Sequence, residues 1–146
     1  MKEADPELLK AQSGIAPALA LVGDWVGAGQ AHGEPITATL KVRSVLSATQ
    51  VEVWERVGEG NEAHEDVCFY RFDVASGQIR VLHLMAPALV TEYAVEVVPD
   101  GLVWVTPPKS PAVLWTLRGA ELVSEVIWPD QRVAEVKLRY RRLANP

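Results

Sequence analysis

From Trp25 onward the chain falls, at near-regular intervals, into ten short runs rich in Val, Thr, Trp and Tyr: approximately 24–30, 36–45, 49–57, 64–74, 78–86, 89–98, 101–107, 111–118, 121–128 and 132–143. Gly58-Glu59-Gly60-Asn61, Ala75-Ser76-Gly77-Gln78, Pro99-Asp100-Gly101, Arg118-Gly119-Ala120 and Trp128-Pro129-Asp130 separate several of them, and these residue types turn a chain tightly. Connections this short join antiparallel neighbours, because a parallel crossover takes a dozen residues or more. A meander of ten strands with no helical insertion has two open edges unless it closes on itself. The expected fold is therefore all-β, an antiparallel up-and-down barrel of about ten strands.

A helical segment over 1–22 is expected to precede the barrel at 23–143, the whole 1–146 forming one domain. Asp5-Pro6-Glu7 has the form of an N-cap followed by Pro at the first helical position. The helix carrying Leu8, Leu9 and Gln12 is expected to stop at Gly14, with a second short turn starting at Pro17. With 146 residues, 49% of them hydrophobic, a barrel of this size has enough apolar material for a core. A net charge of −5 argues against nucleic acid and anionic membranes, which select clustered Lys and Arg. The one basic cluster, Lys137 to Arg142, lies inside a strand pattern and reads as a solvated face. The single cysteine, Cys68, leaves no internal disulfide and no zinc site built on cysteines, so no metal is expected. The run from Ile15 to Val22 is too short, and too interrupted by Pro17, for a signal sequence or a membrane span; no membrane insertion and a cytoplasmic location are expected.

Alternation assigns faces. Ile79, Val81, His83 and Met85 share one side of the fifth run; Leu89, Thr91, Tyr93, Val95 and Val97 share one side of the sixth; Ala134, Val136, Leu138 and Tyr140 share one side of the last. The opposite sides carry Arg80, Glu92, Glu96, Glu135, Lys137 and Arg139, which suit solvent. A barrel of ten strands is wider than the eight-stranded kind that side chains just fill, so a cavity is expected inside. Its candidate ligand-binding residues are Val81, His83, Met85, Thr91, Tyr93 and Tyr140. Of the other histidines, His32 lies in a loop signature and His64 in an acidic surface patch. The five tryptophans, Trp25, Trp54, Trp104, Trp115 and Trp128, are core or pocket wall.

No Ser-His-Asp order, paired-carboxylate spacing, phosphate loop or dinucleotide fingerprint is present, and Cys68 has no activating neighbour in sequence beyond Arg71. Three readings of function stay open. The first is an intracellular protein that holds one small, mostly apolar molecule in the barrel. The second is a cofactor-independent isomerase or hydrolase of a hydrophobic carbonyl compound, with His83 as general base and Tyr93 as oxyanion donor. The third is an interaction protein or homodimer using outward apolar residues such as Val123 and Ile127.

Gly23-Asp24-Trp25-Val26-Gly27-Ala28-Gly29 matches the Gly-x-Trp-x-Gly-x-Gly opening of nitrobindin-type, fatty-acid-binding-like barrels in the calycin (lipocalin-like) group. The segments His64-Glu65-Asp66-Val67-Cys68-Phe69-Tyr70-Arg71 and Val81 to Pro87, running into Val90-Thr91-Glu92-Tyr93, resemble that family as well. The resemblance implies a calycin-like barrel in which Gly23 makes a sharp turn, Trp25 plugs one end, and Arg142 reaches under the barrel to stack on Trp25. It also raises haem as a ligand. Family members that bind haem iron supply a proximal His from the last strand, and this chain has none beyond His83. No cofactor is therefore expected, since five-coordinate haem iron needs a strong donor.

Overall fold

The computed structural model describes residues 5–144; residues 1–4 of the expected N-terminal segment, and 145–146, lie outside them. Ten strands follow one helix: β1 (Gly23–Ala31), β2 (Glu34–Val45), β3 (Gln50–Val57), β4 (His64–Asp73), β5 (Gln78–Met85), β6 (Leu89–Val98), β7 (Gly101–Val105), β8 (Ala112–Arg118), β9 (Glu121–Ile127) and β10 (Val136–Arg142). Each pairs antiparallel with its sequence neighbours, and β1 pairs with β10, so the sheet closes as an up-and-down barrel, consistent with a calycin-like form. Closure runs from Trp25↔Arg142 to Ala31↔Val136, and Gly29 permits it: a Cβ there would fall on the Lys137 carbonyl. The β1–β2 hairpin turns on His32 and Gly33, with φ of 51° and 79°, the left-handed pair that suits the twist of a two-residue hairpin.

The helix α1 (Pro6–Leu19) starts as the N-cap signature predicts, with Asp5 Oδ1 accepting the Glu7 N–H at 2.9 Å. It does not stop at Gly14, and no separate turn begins at Pro17; both lie inside one continuous helix of 14 residues. Gly14 is a packing residue, because a Cβ there would fall on the Phe72 ring. Pro17 falls in the last turn, where its missing N–H removes one intrahelical bond and little helix remains to disrupt. The fully buried Ile15 and Ala18 face the barrel, and Gln12 Nε2 donates to the Ser47 carbonyl of the β2–β3 turn at 2.7 Å. With further contacts to β4, β5 and β7, α1 covers the barrel end that carries the β2–β3, β4–β5 and β6–β7 turns.

The last strand begins at Val136, not 132, because Trp128 to Glu135 form a loop at the opposite end. The loop is tied down by Glu135 N–H to the Val126 carbonyl at 2.8 Å and His32 N–H to the Glu135 carbonyl at 2.9 Å. Two face assignments change with it. Ala134 precedes the strand, and Glu135, expected on a solvent face, turns its carboxylate toward His32 and Trp128. Val97, expected inside, is 55% exposed at the end of β6. Val123 and Ile127 are half-buried, whereas Trp54, Leu89, Val90 and Val105 are the kind of large apolar side chain that stands exposed. No helix among the described residues is long and apolar enough to cross a membrane.

Candidate functional site

The barrel interior divides into two halves. Next to α1 it is solid: Leu40, Val42, Val51, Tyr70, Val81 and Leu122 are all within 1% of full burial. Trp25 seals this end, its indole N–H donating to the Leu21 carbonyl at 2.9 Å. Arg142 lies over the Trp25 ring with Cζ 4.3 Å from the centroid, and its Nη2 donates to the Ala20 carbonyl at 2.9 Å. Gly23 makes room, having a φ of 143° and the Arg142 side chain 3.1 Å from where its Cβ would stand.

The other half encloses a cavity of about 660 Å³. His32, Glu62, His64, Ser110, Pro111 and Glu135 border it at the end opposite α1, where it opens. Much of the wall is apolar, from Ile36, Val53, Val57, Val113, Val126 and Leu138, with Trp104 and Trp115 as flat panels. A larger groove of about 900 Å³ runs outside the barrel past Lys41, Arg43 and Trp54, but the polar side chains of the sheet's inner face converge in the interior cavity.

Sheet register brings these polar groups together. Glu55 on β3 stands directly opposite Asp66 on β4, and Cys68, two residues along β4, stands opposite His83 on β5. Since alternate residues share a face, Glu55, Asp66, Cys68 and His83 all line the cavity. His83 Nε2 hydrogen-bonds Asp66 Oδ2 at 2.7 Å, with side chains only 14% and 11% exposed. The other oxygen, Asp66 Oδ1, has no partner among the described residues although it is buried. From across the barrel, the Tyr140 hydroxyl donates to Glu55 Oε2 at 2.9 Å. Tyr140 spans β1 and β2 to do so, and the path exists because Gly27, opposite Tyr140, has no side chain: a Cβ there would meet the phenol ring. Ala38, opposite Gly27, extends the same shallow trough.

Burial, reinforced by the negative charge of Asp66, pushes the Glu55 carboxyl up to about 8; the Tyr140 hydrogen bond acts in the opposite direction, and a hydrogen bond to Asp66 adds to the rise. Glu55 is thus protonated at neutral pH. Burial first, then the charges of Asp66 and Glu55, also raise the Cys68 thiol, so this cysteine is neutral and a poor nucleophile. Burial and the adjacent Glu55 raise the Tyr140 phenol, which stays a donor.

Trp104 organises the aromatic wall. Tyr93 stacks on it at 5.5 Å between centroids, His83 meets it edge-on at 5.0 Å, and its indole N–H donates to the Tyr70 hydroxyl at 2.8 Å. Trp115 stacks on Tyr140 at 6.4 Å, and its buried Nε1 has no partner among the described residues.

Of the residues selected from sequence, His83, Met85, Thr91 and Tyr93 line the cavity. Val81 lies in the packed half at 0% exposure, and Tyr140 acts through Glu55 rather than as wall. Across the β5–β6 pair His83 faces Thr91, and Tyr93 faces Val81, so His83 and Tyr93 are linked through Trp104 rather than by a direct contact of paired residues. Sequence reasoning did not single out Glu55, Asp66 or Cys68. The absence of a paired-carboxylate spacing in sequence did not preclude a carboxylate pair built across two strands. His32 and His64 also border the cavity mouth, His32 with Nδ1 3.0 Å from Glu135 Oε1 and its side chain 70% exposed.

Asp66, Cys68 and His83 present ligand atoms within 4.8 Å of one another, so any metal in the cavity would find its donors there. For haem the donors fit poorly. The last strand turns Val136, Leu138 and Tyr140 inward, Tyr140 is occupied by Glu55, and the His83 Nε2 is held by Asp66 with the Trp104 ring against its imidazole. Chemically, the site offers a hydrogen-bonded Asp–His pair, a neutral carboxyl and a spare carboxylate oxygen inside an apolar chamber. No protein-family model matches the chain, and no curated protein matches it.

Proposed function

We propose that this chain is an intracellular binding protein of calycin-like form that holds one small, mostly apolar molecule in the barrel cavity. The observation that carries this reading is the chamber of about 660 Å³, apolar over much of its wall, with Glu55, Asp66, Thr91 and His83 as polar anchors. Binding pockets generally combine these features, an apolar lining that supplies affinity and a few convergent polar groups that fix orientation. The nitrobindin-type likeness supports a ligand-holding barrel but not haem, for which the cavity offers no free strong donor in the family's position. Native mass spectrometry of freshly purified protein tests the proposal. A co-purified small molecule that is released on denaturation is the expected result, and it names the ligand class. Protein that arrives empty and takes up none of a panel of apolar probes would end the proposal.

A second reading has one specific observation in its favour. The Asp66–His83 hydrogen bond of 2.7 Å orients the imidazole as a carboxylate orients a general base, leaving Nδ1 as the second ring nitrogen. A cofactor-independent proton transfer on a hydrophobic carbonyl compound would use this pair, with Tyr93 beyond Trp104 as donor. Screening enolisable ketones and hydrophobic esters, with His83→Ala as control, separates it from simple binding: turnover that His83→Ala abolishes is required.

A further inference from the structure

The cavity gathers acidic side chains without a lysine or an arginine among them. Among the described residues that line the cavity stand four carboxylates, Glu55, Glu62, Asp66 and Glu135, with no lysine and no arginine. The arginines near this region are spent outside: Arg43 pairs with Asp24 at 2.7 Å and Arg56 with Glu65 at 2.7 Å, both guanidinium groups about half exposed. An apolar molecule ending in a carboxylate, such as a fatty acid, would bring a further acidic group into a chamber with no lysine or arginine to receive it.

We infer that the ligand is an amphiphilic amine, its ammonium group received by Glu55 and Asp66 and its apolar body by the aromatic and aliphatic walls. This rests on the binding reading above and specifies it. An ammonium carries three N–H donors and no acceptor. The cavity offers the complement: Asp66 Oδ1 is buried and accepts from no N–H group among the described residues, and the Glu55 carboxyl faces it from the adjacent strand. An ammonium placed between the two carboxyl groups would give N–H donors to both. Trp104 and Tyr93, stacked on one another at 5.5 Å with Trp104 against His83, the partner of Asp66, add aromatic rings to the same cavity that attract a desolvated cation.

The test uses three probes with the same apolar chain, octylamine, octanol and octanoate, titrated at neutral pH into the delipidated full-length protein and followed by calorimetry and tryptophan fluorescence. Octylamine is expected to bind tighter than octanol by about tenfold or more, the size of a hydrogen-bonded charge, and octanoate weakest. Asp66→Asn, checked for folding by circular dichroism, is expected to bring the ratio of octylamine to octanol affinity close to one. Equal binding of the three probes, or octanoate ahead of octylamine, overturns the inference while leaving the barrel a binding protein. Binding of none overturns both. Should Asp66→Asn fail to fold, the ranking of the probes on the unaltered protein still decides.

Discussion

The two ends of the barrel obey the same alternation and put it to opposite use. At the α1 end, the polar groups that reach inward find partners: the Trp25 indole bonds to the Leu21 carbonyl, the Arg142 guanidinium to the Ala20 carbonyl while lying on the Trp25 ring, and the Tyr70 hydroxyl accepts from the Trp104 indole. In the hollow half, Asp66 Oδ1 and Trp115 Nε1 are buried without a partner among the described residues. Satisfied polar atoms specify a single packed arrangement, whereas buried unsatisfied ones call for a partner, which the proposed ligand would supply. A packed half and a hollow half thus come from one meander, and the distinction lies in the hydrogen bonds rather than in the backbone.

That distinction breaks most visibly at Trp25. Trp25→Ala removes a side chain 1% exposed from the sealed end and is expected to cost about 3–5 kcal/mol, read as a fall in the denaturation midpoint. The cavity lies at the other end, so ligand affinity measured well below the lowered midpoint should change little. A large loss of affinity with the fold intact would mean that the two halves are coupled.

Gly27 joins the halves, since its missing side chain lets Tyr140 reach Glu55. Gly27→Val is expected to destabilise by about 1–3 kcal/mol despite the better strand propensity of valine, because the added carbons meet the phenol ring. If Gly27→Val instead raised the thermal midpoint, the trough would have room for a side chain and Tyr140 would not depend on the glycine.

Turn residues and alternation are local, so the ten strands, the inward His83 and the inward Tyr93 were legible in the chain itself, with strand bounds differing by a residue or two in most cases. The end of the helix was not, because Gly14 and Pro17 signal stops by propensity, and a contact with Phe72, distant in sequence, overrides the signal at Gly14. The carboxylate pair had a trace in sequence: Glu55 shares parity with the buried Val51 and Val53, and Asp66 with the buried Cys68 and Tyr70. An acid on the apolar side of an alternating strand is a site signal. The bond from Tyr140 to Glu55 had none, because β10 and β3 are separated by two strands and only closure of the sheet brings them face to face.

A smaller effect distinguishes the halves by pH. Glu55 rises from an ordinary value of 4.5 to about 8 on folding, so the native state holds a proton that the unfolded chain releases. Its contribution to stability is complete below pH 4.5, declines between 4.5 and about 8, and is gone above that window. Glu55→Gln, which resembles the protonated carboxyl, is expected to flatten this decline and to melt a few degrees above the unaltered protein at about pH 9. Parallel melting curves for the two proteins across the window would show that Glu55 titrates normally.

The smallest expected effect concerns haem, where the prediction is that nothing sharp happens. An apolar chamber of about 660 Å³ can attract a macrocycle without ligating its iron. Ligation from within the chamber needs a free strong donor, and the His83 Nε2 is engaged by Asp66 at 2.7 Å, the last strand turns no histidine inward, and His32 and His64 stand only at the mouth. Haemin titrated into the ligand-free protein should therefore give a broad, weak Soret change without an imidazole-type spectrum, and His83→Ala should leave that change as it is. A stoichiometric, sharp band that disappears in His83→Ala would mean that iron displaces Asp66 from the imidazole, making the dyad an iron ligand and its carboxylate the group that orients it.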